Sequence, residues 1–86
     1  MHTVELLERS LELAQRLGYQ VREEWLGGSG GGGCEFGGRK WLFVDLALSV
    51  SEQLDQVLDA LREDPRIFET EVRPELRTLL GARRAA

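Results

Sequence analysis

One histidine, His2, and one cysteine, Cys34, are all the imidazole and thiol chemistry this chain carries. Structural zinc takes four ligands and catalytic zinc usually three plus water, so a His/Cys zinc site within one chain is excluded. A Ser-His-Asp or Cys-His device would have to recruit His2, at a terminus that is expected to fray. A lone cysteine cannot staple the fold internally, and a reducing, cytoplasmic setting is the expectation. Lys and Arg number 11 against 15 Asp and Glu, a net charge of −4, which speaks against a nucleic-acid surface. The one basic cluster, Arg83-Arg84, sits in a tail of small residues at 82–86 that reads as disordered. No apolar run reaches the ~18–20 residues that span a bilayer, and no basic-then-apolar leader opens the chain. No Asp-rich loop of the calcium type is present, and the acidic pairs Glu23-Glu24 and Glu63-Asp64 read as solvated charge. No cofactor is called for.

Glycine, by contrast, is abundant. The chain has 10 glycines in 86 residues, and eight of them fall in residues 27–38, the run that also holds Cys34. Glycine serves where a backbone takes φ > 0, approaches something closely, or stays mobile. Residues 27–33 therefore read as a flexible loop within a single domain of residues 1–86, either a binding loop or a slack connection. Gly28 to Gly33 match the spacing G-x-G-x-x-G, but no strand–loop–helix unit surrounds them and no Gly-Lys-Ser/Thr follows. Nucleotide binding is not supported by so easy a match in so glycine-rich a run.

The rest of the chain is patterned. Residues 3–17 carry Val4, Leu7, Leu11 and Ala14 at helical spacing, with Leu6, Leu13 and Leu17 widening the face. Thr3 is placed to cap that helix and Gly18 to end it. Residues 19–26 alternate as a half-exposed strand. Residues 34–36 suit a short strand, and Gly37-Gly38 a two-residue turn of the mirror-image type. Residues 41–48 are apolar on both faces, as a central strand requires. Ser49 and Glu52 form a capping box ahead of the stripe Leu54, Val57, Leu58 and Leu61. Pro65 stops this helix, Ile67 and Phe68 are expected to pack on the core, and Pro74 opens a short last helix ending at Gly81.

These elements predict an α+β fold: a three-stranded antiparallel meander with two helices packed on one face and a short C-terminal helix. Strand alternation puts Cys34 and Phe36 on one face and Glu35 on the other. Cys34 reads as a small, partly buried core residue. Trp25, Trp41 and Phe36 either complete the core or leave aromatic area on the uncovered sheet face.

The order of helix, strands, apolar strand and Leu48-Ser49-x-x-Glu52-Gln53 resembles the N-terminal part of small zinc metallopeptidases of the ImmA/IrrE type, which cleave repressors. In that family the helix carries H-E-x-x-H about ten residues further on. Those positions are Asp59, Ala60 and Glu63 here, so the resemblance implies either a relative without the metal and the peptidase activity or a truncated cousin. Gly31-Gly32-Gly33-Cys34 ahead of an apolar strand is also similar to a Gly-Gly-x-Cys segment of small bacterial proteins, a likeness that brings no function.

The function expected is that of a small, non-enzymatic cytoplasmic binding or regulatory protein acting through protein contacts, with a protein partner or as a homodimer. The candidate interaction or ligand residues are Trp25, Gly28, Ser29, Gly30, Gly31, Gly32, Gly33, Cys34 and Trp41. Two alternatives stand beside it. One is a thiol-dependent enzyme or redox sensor using Cys34; the other is a glycine loop that closes over a small anionic ligand.

Overall fold

The computed structural model of the chain describes residues 2–28 and 30–85, with the side chains of 82–85 excepted. The expected tail at 82–86 thus lies largely outside the described side chains. The elements run α1 (Thr3–Arg16), β1 (Tyr19–Glu24), β2 (Gly32–Phe36), β3 (Arg39–Asp45), α2 (Val50–Arg62), a 3-10 turn (Pro65–Glu69) and α3 (Pro74–Ala85). The content is mixed α and β, as the patterning implied.

The strand pairing differs from the expected meander. The sheet order is β1-β3-β2. β2 and β3 form an antiparallel hairpin, but β1 pairs with β3 in parallel, Tyr19 opposite Lys40 through Glu24 opposite Asp45. β3 is thus the central strand; Leu42 and Val44 on one of its faces are fully buried, while Trp41 and Phe43 on the other are only partly buried. The connection of residues 25–31 leaves β1 beside Asp45 and enters β2 beside Phe43. It therefore arches over the C-terminal end of β3 rather than turning back on β1.

The hairpin turn has the expected form. Gly37 and Gly38 take φ of +60° and +77°, the two positive values that a type I′ turn needs.

α1 and α2 pack on the sheet face that carries Leu42 and Val44, both fully buried. Leu7, Leu13, Ala14 and Leu17 of the α1 segment and Leu54, Val57, Leu58 and Leu61 of α2 complete that core. Ile67, Val72, Leu76 and Leu80 close it from the C-terminal side. The stripes bury against the sheet, the main source of helix stability in a chain this short, except that Val4, which heads the α1 stripe, is exposed.

The helix ends show where local rules hold and where they do not. Ser49 Oγ accepts the Glu52 amide at 3.2 Å, and the Glu52 carboxylate accepts the Ser49 amide at 3.0 Å, which is the capping box. Gly18 is left-handed at φ +95°, just past Leu17. Thr3 does not cap α1: the cap is His2, without a side-chain bond, and Thr3 is the first helical residue. Gly81 does not end α3. Phe68 is exposed while Ile67 is buried, because the 3-10 turn directs only one of the two inward.

Candidate functional site

The glycine loop is held, not slack. Asp45 ends β3, and its side chain is completely buried beneath the arch. Its carboxylate accepts the amides of Leu26 at 2.9 Å, Gly28 at 2.6 Å and Ala47 at 2.9 Å. Burial works against the charge, but the bonds from the Leu26, Ala47 and Gly28 amides outweigh it and hold the Asp45 carboxyl below the usual range. A second clamp comes from α2. Gln56 Nε2 donates to the Gly30 carbonyl at 2.9 Å, and its Oε1 accepts the Asp45 amide at 3.3 Å. Gly31 sits at φ +98°, where a Cβ would lie 2.7 Å from Gln56 Nε2, so both backbone and space require glycine there.

These contacts anchor Gly28 and Gly30 within the stretch 27–33 that reads from sequence as a flexible loop. The pinning residues, Asp45 and Gln56, are remote in sequence from the glycines. The anchoring also changes the case for an anion site: the Leu26 and Gly28 amides, which an anion could use, are already turned to Asp45. Gly28, Gly30 and Gly31 belong to this arch. Ser29 lies outside the described residues. Gly32 and Gly33 belong not to the loop but to β2.

A groove of about 620 Å³ runs between β2 and α2. Gly31 to Glu35 form one wall, and Gln56, Asp59, Ala60 and Glu63 the other. Asp59 and Ala60 of α2 and Glu63 just past its end, the positions compared above with H-E-x-x-H, thus line one groove. Among the described residues, no group of three or more His, Cys, Asp and Glu is arranged to hold a metal ion.

The end of the groove is closed by Asp64, which is a buried carboxylate and not the solvated charge expected of the Glu63-Asp64 pair. It accepts Lys40 Nζ at 3.0 Å, the Tyr19 hydroxyl at 3.1 Å and three donors of Arg66. The Arg66 guanidinium, ahead of Lys40, holds the Asp64 carboxyl far below its ordinary value against the cost of burial. Tyr19 is pushed up to about 12, first by burial and then by the charge of Asp64. The cluster ties β1, β3 and the 3-10 turn together. Its acceptor capacity is used, so it reads as scaffold.

Among the described residues, no helix lies over the opposite sheet face. By strand alternation it carries Arg22 and Glu24 of β1, Cys34 and Phe36 of β2, and Trp41 and Phe43 of β3. Trp41 and Phe43 stack with ring centroids 6.0 Å apart and planes 17° from parallel. Phe36 is 76% exposed. A shallow, almost wholly apolar hollow of about 330 Å³ is lined by Arg22, Cys34, Phe36, Trp41 and Phe43. Trp25, at the start of the arch, is 75% exposed. Cys34 is exposed as well, which overturns its assignment to the core: residue 34 faces away from the helices, and the core lies on the other side. Arg22 pairs with Glu24 at 2.9 Å, a charged flank to the aromatic surface.

Of the residues singled out from sequence, Cys34 and Trp41 come together on this face, with Phe36 beside them and Trp25 at its own exposed position. The glycines divide between arch and strand. Phe43 and Arg22 were missed as site residues, although alternation from Trp41 and the pairing of β1 place them there. Comparison with protein-family models, with curated proteins and with solved structures finds no match for the chain.

Proposed function

We propose that this is a small binding protein without enzymatic activity that engages another protein through the uncovered sheet face. The observation that carries the reading is the exposure of Phe36 and Trp25 together with the Trp41–Phe43 stack on a face that no helix covers. Large aromatic side chains left in water are the residue types that anchor protein–protein contacts. Contiguous apolar area left in water on a chain this small marks an interaction site, and burial against a partner accounts for it. The Arg22–Glu24 pair at the margin suits the polar rim of such a contact.

The test compares immobilised wild-type protein with a Phe36→Ser/Trp41→Ser double variant whose fold is verified by circular dichroism. Proteins retained by the wild type and lost with the variant support the reading. Identical retention by both removes it.

A thiol-based reading draws on one fact, the exposure of Cys34. The neighbouring guanidinium, Arg22, is paired with Glu24, and among the described residues no histidine lines the hollow. Alkylation by a neutral reagent separates the two. A native thiol that reacts much faster than the unfolded one favours thiol chemistry, whereas an equal or slower rate favours the binding surface.

A further inference from the structure

β2 is an edge strand, and its outward backbone is defined by the hairpin. The two-residue turn makes Phe36 and Arg39 a hydrogen-bonded pair, and alternation then does the same for Cys34 with Trp41 and Gly32 with Phe43. Gly33 and Glu35 therefore turn their N–H and C=O groups away from β3, toward the free edge. The two edges of the sheet are not guarded alike. β1 carries Arg22, Glu23 and Glu24, whereas β2 has neither proline nor lysine and one charge, Glu35. Charge is the usual protection of an edge, and β2 has little.

The sequence of β2, Gly32-Gly33-Cys34-Glu35-Phe36, also complements itself. With two copies antiparallel about Cys34, Phe36 of each lies opposite Gly32 of the other. Glu35 lies opposite Gly33, and Cys34 opposite Cys34. Each large or charged side chain meets a bare glycine, and no like charges are directly opposed. Gly33 and Glu35, whose polar groups point outward, become the hydrogen-bonded pairs. On the uncovered face, Phe36 of one copy lies across Gly32 toward Phe43 of the other, an aromatic residue covering an edge glycine.

We propose that β2 pairs antiparallel with β2 of a second copy about a two-fold axis at Cys34, joining the two sheets into one of six strands. The inference goes beyond the binding-face reading, since it concerns the strand edge and stands whether or not another protein docks on the aromatic face. It predicts a specific distance. The Cys34 pair falls at a non-hydrogen-bonded position, with Cα atoms ~4.5 Å apart. That lies inside the ~4.4–6.8 Å range of a disulfide.

Sedimentation of the reduced protein should show a monomer–dimer equilibrium with a Kd below ~100 µM. Diamide removes two electrons and two protons from a pair of thiols. It should give a disulfide-linked dimer far faster from the native protein than from the urea-unfolded one, and Cys34→Ser should lose the link but keep the dimer. Glu35→Pro deletes an outward N–H while leaving the bonds to β3, and should weaken the dimer at least about tenfold. If that variant does not fold, amide exchange of the wild type replaces it, with Gly33 and Glu35 protected more at high concentration than at low. A wild type that stays monomeric at ~100 µM overturns the proposal. So does a dimer indifferent to a folded Glu35→Pro that fails to cross-link through Cys34. In that second case, loss of the dimer in Phe36→Ser/Trp41→Ser assigns it to the aromatic face instead.

Discussion

The carboxylate of Asp45 holds the amide of Gly28 at 2.6 Å, and through it the whole connection between β1 and β2. The contact joins the end of the central strand to a loop that starts on one sheet edge and finishes on the other. It makes parallel pairing of β1 compatible with so short a connection.

Loss of this carboxylate should therefore be expensive. Asp45→Ala removes three hydrogen bonds to a charged, fully buried acceptor, from the Leu26, Gly28 and Ala47 amides, each worth about 1.5–3 kcal/mol. The expected outcome is a fall in Tm on the order of 10 °C by calorimetry. In the wild type, amide exchange at Leu26 and Gly28 should be slower than at Gly37 and Gly38 in the hairpin turn. A variant with unchanged Tm would mean that the arch is stable without its clamp.

Acid should act through the same group and through Asp64. Both have folded-state values below the ordinary carboxylate range, so each contributes stability above its unfolded value of about 3.8 and loses it as pH falls through the folded value. Denaturant unfolding should accordingly show a plateau near neutrality and a decline beginning below about pH 4–5. Asp64→Asn should flatten part of that decline.

Alkali should act through Tyr19. Its folded-state value is raised from 10.0 to about 12, so the neutral phenol stabilises the fold below pH 10. That contribution is lost between pH 10 and 12, as the unfolded chain ionises before the folded one. Tyr19→Phe should show less loss than the wild type over this window. An identical alkaline profile would sever the link between the Tyr19–Asp64 contact and stability.

The start of α2 offers a local control. Ser49→Ala removes the acceptor for the Glu52 amide and should cost ~1 kcal/mol in denaturant unfolding. No change would mean that the capping box is not holding the helix end.

How much of this was legible in the sequence follows the range of the interactions involved. The capping box, the Leu54-to-Leu61 stripe, the left-handed Gly18 and the Gly37-Gly38 turn are set by residues within a few positions of one another, and each could be read directly. Pairing order could not, because it depends on contacts such as Asp45 with Gly28. One signal was available: residues 41–48 are apolar on both faces, which demands a central strand, yet a meander in sequence order puts that strand at an edge. The acid that closes β3 was a second, since a carboxylate ending an apolar strand needs donors, and the glycine run is rich in unhindered amides. The aromatic face was half legible. Trp25, Trp41 and Phe36 were identified, but Cys34 was assigned to the core because the covered and uncovered faces of β2 cannot be told apart until its partner strand is known.

The measurement that bears most directly on the binding-face account is site-specific photo-crosslinking in cells. A benzophenone amino acid replaces Phe36 on the uncovered face or Val4 on the exposed side of α1. The account predicts discrete covalent adducts from position 36, absent from position 4, with a product of twice the chain mass identifying a second copy. Adducts of equal pattern from both positions, or none from position 36, would contradict it.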